Sequence, residues 1–324
     1  KRKNNKPFAL MAPDMETIKK YCEVSEKEQE LLTSNKRPIV LLRKKTAQDN
    51  SALLPDSISP NNLYIGFMLP YTPLHYLLFF YPIFYNPITL PTPLPSREGM
   101  NPSPLAGEGW GEGRANFSAL VMTSGNISEE PIIVSNDEAV SKFSDMVDAL
   151  LIHNRDIFMR VDDSVVRNNF IGHRTKPIFI RRSRGYAPEP ISLDNDGPEV
   201  LGCGADIKNT FTLTKGSYAI PSHHIGDMEN YETVKFFEES LSNLKKVYRV
   251  NPVAIGYDLH PNYLSTKWAL AQQSELNTNS PLSFYGIQHH YAHIASVMAE
   301  NGIKRKVIGV AFDGTGYGTD GNLW

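Results

Sequence analysis

Apolar residues in this chain come in short runs, and each run is closed by a turn or a helix signal. Residues 38–43 (PIVLLR), 119–123 (ALVMT), 149–153 and 177–181 are five or six residues long and rich in branched or apolar side chains. That is the length of a strand and too short for a helix. Helix signals stand beside them: Asp14 as a cap before residues 15–21, and Ser25 with Glu28 as a capping box before residues 29–32. Beyond residue 200 the pattern recurs. Strand candidates at 200–204, 210–214, 218–221, 253–257, 282–288 and 307–313 alternate with helices at 231–247, 263–273 and 290–301, the last stopped by Gly302. In the first of these helices Tyr231, Val234, Phe237, Leu241, Leu244 and Val247 recur at spacings of three and four, which makes one apolar stripe. Such alternation predicts an α/β protein with mixed sheets.

A length of 324 residues predicts about two domains. Residues 187–199 (APEPISLDNDGPE), proline-rich and acidic, read as the linker between a first domain at 1–186 and a second at 200–324. Within the first, residues 91–113 hold five Pro and five Gly in 23 positions. That composition cannot bury a core, so residues 82–117 are expected to be a disordered insertion. The most apolar window, residues 74–84, contains Pro82 and falls well short of the ~20 residues of a membrane span, so it is expected to be a buried core element. A net charge of −2 gives no global reason to expect nucleic acid or an anionic membrane. The two cysteines, Cys22 and Cys203, exclude a disulfide framework and a thiolate zinc cluster, and they fit a reducing, cytoplasmic setting. The chain starts without methionine, and Trp324 directly follows a glycine-rich loop, so both ends read as cuts inside a longer protein.

Four motifs carry chemistry. His289 and His293, in HHYAH, fall where a strand gives way to a helix, and at i and i+4 they share a face. Two imidazoles so placed suit a single metal, provided a further ligand exists; otherwise the motif is a histidine-rich helix start that hydrogen-bonds locally. Asp313 ends the run VIGVAF and opens DGTGYG, whose glycines let backbone N–H groups approach an anion, with the Thr315 hydroxyl as a further donor. Asp313 is placed to hold a metal ion, although a plain glycine turn has the same text. Ser124 and Asn126, in TSGN, likewise end a strand and offer groups suited to nucleotide phosphates, or to an ordinary turn. Residues 181–186 (RRSRGY) and 1–6 (KRKNNK) are the densest basic clusters, suited to phosphate or carboxylate, or else solvated surface or an RNA contact. Asp162-Asp163-Ser164 reads as a cap or turn.

The ordered blocks KPFALMA, RPIVLLR, LPYTPLHYLLF, VMTSGNISEEPI, DDSVVR, RRSRGYAP, GADIKNTF, HIGDMEN, DLHPNYLSTKWA, QHHYAHIASVMAENG and VAFDGTGYGTDGNLW resemble the HypF family of carbamoyltransferases, which serves the maturation of nickel–iron hydrogenase. The resemblance implies a YrdC-like α/β domain with a mixed, twisted sheet over residues 1–186. From about residue 200 it implies part of an actin-like domain related to the tRNA threonylcarbamoyl transferase TsaD. The implied activity is formation of carbamoyl adenylate from carbamate, itself released from carbamoyl phosphate, and ATP with Mg2+. Transfer of the carbamoyl group to the C-terminal cysteine of the partner HypE follows, towards the cyanide ligands of the hydrogenase iron. Adenylation gives carbamate a good leaving group while basic residues neutralise phosphate charge.

Carried onto this sequence, the resemblance assigns Ser124 and Asn126 to the nucleotide signature and Arg2 to the basic signature. Lys6 and Arg182 become phosphate or carbamate contacts. Gly314, Thr315 and Gly316 form the phosphate loop, and His289, His293 and Asp313 form a site for Zn2+ or Fe2+. The family's acylphosphatase domain, its paired CxxC zinc fingers, the first strand of the YrdC-like domain and the second half of the actin-like domain have no counterpart here, so the chain reads as a fragment. Two other readings use the same residues: threonylcarbamoyl-adenylate synthesis for tRNA modification, and a non-catalytic remnant that docks a partner. Binding of double-stranded RNA by the YrdC-like domain is the version that the near-neutral charge does not favour.

Overall fold

The computed structural model describes residues 7–46, 54–80, 117–127, 130–171, 174–275, 282–314 and 316–324. Arg2, Lys6, Thr315 and the expected insertion, apart from Phe117, lie outside the described residues. Two compact units emerge, one built from Arg2–Thr123 and Val166–Ile178, the other from Ser124–Val165 and Phe179–Trp324.

The first unit is organised by a seven-stranded mixed sheet. Strands β1 (Ala9–Met11), β2 (Cys22–Glu23), β3 (Ile39–Lys44), β4 (Tyr64–Met68), β5 (Leu120–Met122), β6 (Val165–Ile171) and β7 (Arg174–Arg181) lie in the order β5-β1-β4-β3-β6-β7, with β2 paired to β3. β1 runs parallel to β4 and antiparallel to β5, while β3 and β4 are antiparallel. Leu10, Met11, Val40, Leu42, Ile65 and Phe67 are buried on it, joined by Ile18 of helix α1 (Met15–Tyr21) and Leu32 of α2 (Glu26–Thr33). Both expected caps are present. Asp14 accepts from the Thr17 amide at 2.7 Å, and Ser25 with Glu28 closes the capping box, which satisfies amides that the first turn leaves orphaned.

Two expectations change here. Residues 74–80 of the apolar window lie in α3 (Pro73–Phe80), where only Phe79 is buried, with Leu74 57% exposed and Leu78 48%; residues 81–84 lie outside the described residues. A helix that is apolar on every side has one face for the core, and the remainder stays outside among the described residues. Residues 149–153, expected as a strand, have no regular structure, and Leu151 is 83% exposed. An apolar run becomes a strand only where a ladder partner exists, and none of the described strands pairs with this one.

In the second unit five strands, β8 (Ile191–Gly197), β9 (Val200–Gly202), β10 (Thr212–Pro221), β11 (Ala254–Asp258) and β12 (Ser283–Ile287), form a sheet in the order β12-β11-β9-β10-β8. β9, β11 and β12 are parallel; β10 is antiparallel to β8 and β9. Most of the segment expected as a linker is therefore an edge strand, because its alternating Ile191 and Leu193 can join a ladder that composition does not reveal. The two strands expected at 210–214 and 218–221 are one continuous strand, with a register shift between Gly216 and Tyr218 where a turn was expected. After the short helix α4 (Asn136–Phe143), helix α5 (Tyr231–Tyr248) buries Phe236, Phe237, Leu241 and Leu244 with Leu201, Leu213 and Ile255 of the sheet and with Phe211 just before β10, while the ends of the expected stripe, Tyr231 and Val247, are exposed. Helices α6 (Leu264–Glu275) and α7 (His289–Glu300) match expectation. Residues 307–313 do not form the expected strand; Ile308 is 96% exposed and Phe312 94%, and no described strand pairs with them.

Both cysteines are buried, and burial pushes each thiol up to about 12; for Cys22 the Glu28 carboxylate adds to the rise. No helix among the described residues is long and apolar enough to cross a membrane.

Candidate functional site

The parallel pair β11 and β12 points its carboxyl ends the same way, with Asp258 opposite Ile287 in register. Crevices in open α/β sheets form at such ends. After β12 the chain turns directly into α7, whose first residue is His289; the Gln288 side chain caps the helix by accepting from the Tyr291 amide at 2.8 Å. The helical period then places His293 one turn on, and its Nε2 lies 3.1 Å from His289 Nε2. Asp313 comes in from the other side. Its Oδ2 is 3.2 Å from His289 Nε2 and 3.1 Å from His290 Nε2. One ligand atom each from His289, His293 and Asp313 lies within 4.8 Å of the others.

This donor set fits a divalent cation. Both carboxylate oxygens of Asp313 are buried without a hydrogen-bond partner, as is His290 Nε2. A buried carboxylate that faces imidazole nitrogens without an aligned hydrogen bond is costly unless a cation compensates it. Two imidazole nitrogens and one carboxylate oxygen match the N/O ligands that zinc or iron(II) accepts. The loop after Asp313 wraps the same centre: a β-carbon at Gly316 would land on the His290 ring, so only glycine lets the backbone pass there. Gln288 Nε2 donates to the Tyr317 carbonyl at 3.4 Å, and Tyr317 packs edge-on to His260, which stacks on Tyr263 at 4.1 Å between ring centroids. Gly314, next to Asp313, borders open space: a β-carbon there would meet nothing within 4 Å.

Sequence reasoning missed Asp258. Its Oδ2 lies 2.5 Å from His289 Nδ1, its Oδ1 accepts from the His260 amide at 2.8 Å, and its side chain is 7% exposed. The signal was present: VAIGYD closes an apolar run with an aspartate, just as VIGVAFD does, although only the first run forms a strand.

The Ser124–Asn126 loop is built differently. Ser124 Oγ donates to Asn126 Oδ1 at 2.8 Å, Asn126 Nδ2 donates to the Glu130 carbonyl at 2.7 Å, and the Ile133 amide donates to the Gly125 carbonyl at 2.9 Å. Ser124 and Gly125 are exposed. The loop holds its own shape and leaves its edge open.

Arg182 is turned towards its own chain. Its Nε donates to the Tyr186 carbonyl at 3.1 Å and its Nη2 to the Glu189 carbonyl at 2.9 Å, and burial lowers its pKa from the usual guanidinium value. The neighbouring cluster is also engaged. Arg181 pairs with Asp162 at 3.3 Å, Arg184 with Asp163 at 2.7 Å, and Ser164 Oγ both accepts from the Ser183 amide and donates to the Arg184 carbonyl. The DDS and RRSR motifs, read separately in sequence, are thus two sides of one clamp. That clamp spends basic charge which a phosphate or RNA contact would need.

Residues 1–183 match the family model of the Sua5/YciO/YrdC proteins, described as telomere recombination, and residues 195–300 match the HypF Kae1-like domain. Among curated proteins, the chain is 39% identical over its full length to carbamoyltransferase HypF2 of Cupriavidus necator, covering 37% of that protein. It is 37% identical to carbamoyltransferase HypF of Synechocystis, again over its full length and 36% of the relative. Among solved structures, full-length HypF in the phosphate- and nucleotide-bound form superposes with a TM-score of 0.79 at 43% identity, over 99% of this chain and 43% of that one. HypF of T. kodakarensis gives 0.78 at 37% identity, over 99% and 36%. The chain therefore spans a little over a third of the length of these curated relatives.

Proposed function

For a chain that belongs to the Sua5/YciO/YrdC family and is homologous along its whole length to HypF carbamoyltransferases, we propose that this polypeptide is part of a carbamoyltransferase of nickel–iron hydrogenase maturation. The observation that carries the reading is the likeness to phosphate- and nucleotide-bound HypF over 99% of the chain. In this reading the first domain, residues 1–186, binds ATP with Mg2+ beside the Ser124–Asn126 loop. A carbamate oxygen attacks the α-phosphorus, pyrophosphate leaves, and carbamoyl adenylate forms. The acceptor, the C-terminal cysteine thiolate of HypE, then attacks the carbamoyl carbon and AMP departs.

The open edge of the Ser124–Asn126 loop supports nucleotide binding, since its amide and hydroxyl groups are preorganised without being covered. Arg2 and Lys6 are assigned to phosphate or carbamate. Arg182, whose donors hold the carbonyls of Tyr186 and Glu189, shapes the following turn. In the second domain, residues 200–324, His289, His293 and Asp313 would hold Zn2+ or Fe2+, and Gly314, Thr315 and Gly316 would line a phosphate. The metal, when bound, supplies a Lewis acid. The protein's own share is to orient those ligands and to keep water from a hydrolysable adenylate.

The test is carbamate-dependent formation of AMP and pyrophosphate by the chain with ATP, Mg2+, carbamoyl phosphate and a separate acylphosphatase. The expected result is AMP formation that falls about tenfold or more in Ser124→Ala, the loss of one hydrogen bond to a charged group. No AMP from a folded chain overturns the reading. AMP formation with threonine and bicarbonate in place of carbamate would reassign it to threonylcarbamoyl-adenylate synthesis.

A further inference from the structure

We propose that Asp258 is the positioning residue of the His/Asp centre: it selects the Nδ1–H tautomer of His289 and so aims the Nε2 lone pair at the metal. The inference rests on the metal reading above and adds a residue to it. Asp258 sits at the end of β11, 31 positions before His289, and reaches it across the parallel β11–β12 pair. Its two oxygens have different and fixed partners. Oδ1 accepts from the His260 backbone amide at 2.8 Å, a donor that cannot reverse its role. Oδ2 faces His289 Nδ1 at 2.5 Å. A carboxylate is acceptor-only, so Nδ1 must donate, and a neutral imidazole that donates from Nδ1 carries its lone pair on Nε2.

That Nε2 is the atom that faces His293 Nε2 at 3.1 Å and Asp313 Oδ2 at 3.2 Å. The opposite tautomer would point a proton into the point where the other two ligands converge. Asp258 is itself anchored: the Thr266 hydroxyl of α6 donates to its carbonyl at 2.8 Å, and its side chain is 7% exposed. Partners of this kind fix ring orientation, and their loss costs about 10- to 100-fold in metal affinity.

The isosteric substitution Asp258→Asn gives a prediction opposite to that of a merely structural role. The His260 amide would hold the asparagine carbonyl oxygen in the Oδ1 position, which places the NH2 group against His289 Nδ1. Nδ1 then becomes the acceptor and the proton moves to Nε2, where it blocks the metal. The experiment has two readouts on the full chain. Long-range 1H–15N correlation of the metal-free protein should show His289 as the Nδ1–H tautomer in the wild type and as Nε2–H in Asp258→Asn. Titration with Co2+, followed by its visible absorption, should give a dissociation constant about 10- to 100-fold weaker in the variant, with native circular dichroism.

An Nε2–H tautomer in the wild type overturns the assignment without any variant being needed. Equal Co2+ affinity and spectrum in wild type and Asp258→Asn also overturn it, and they leave the metal site standing. A wild type that has the Nδ1–H tautomer yet binds no Co2+ overturns the metal reading, and with it the role of Asp258 in aiming a ligand.

Discussion

The His/Asp centre and the Ser124–Asn126 loop both lie where strands end, and their polar groups are satisfied in opposite ways. At the first, side chains from β11, α7 and the segment after α7 converge, and Asp313 keeps two buried oxygens with no aligned hydrogen bond. At the second, each polar group has a neighbour within a few residues, and the outer edge is open. The first arrangement stores an unmet need that a small, compact cation can fill. The second suits a large ligand that lies across a preformed surface. A ligand that must be gripped calls for residues distant in sequence, whereas a ligand that only rests on a loop can be served locally.

The contrast can be broken most directly at His289. On the proposed metal reading His289→Ala removes a direct ligand, so Co2+ or Zn2+ affinity should fall by more than the ~100-fold upper range for an outer partner. Calorimetric titration checks this, and unchanged affinity would mean that the centre does not grip metal. Ser124→Ala should leave metal affinity unchanged.

Acid should act next, through a buried histidine beside α5. His223 is buried, with its Nε2 3.3 Å from Ser240 Oγ of α5, and burial, with His224 beside it, lowers its pKa to about 4. The unfolded chain takes up a proton at about pH 6.5 and the folded one only near 4, so this contribution is complete above pH 6.5 and is lost as pH falls through that window. The shift corresponds to a loss on the order of 3 kcal/mol. Denaturant unfolding between pH 7 and 4, with chelator present, should show that decline, and His223→Gln should flatten it.

The same small substitution then sharpens the comparison. Gly316→Ala drives a methyl into the His290 ring and should destabilise by about 1–3 kcal/mol, while weakening metal binding. Gly125→Ala meets nothing within 4 Å and should stay within about 0.5 kcal/mol, as measured by thermal unfolding. The smallest effect is expected for Val247→Ala at the exposed end of α5, again within about 0.5 kcal/mol, where Leu244→Ala one turn earlier should cost about 2–5 kcal/mol.

What could be read from sequence follows the range of the interactions. Caps at Asp14 and Ser25, the middle of the α5 stripe and the pairing of His289 with His293 are set within four residues, and each was legible. Partnerships across a sheet were not. Asp258 meets His289 because β11 and β12 share a register, and Arg184 meets Asp163 21 positions away; no local pattern carries that information. The same blindness made residues 149–153 and 307–313 look like strands and hid β8 in a linker, since an apolar or polar run does not announce whether a partner strand awaits it.

The burial of both cysteines has a chemical consequence under the proposed function, in which the chain handles an activated acyl group. An acyl adenylate is an electrophile that any thiolate nearby would consume. Cys22 and Cys203 are out of reach and held protonated, their pKa values raised to about 12, so the thiolate fraction at neutral pH is negligible. On that reading neither Cys22 nor Cys203 would compete with the acceptor's thiolate for the adenylate.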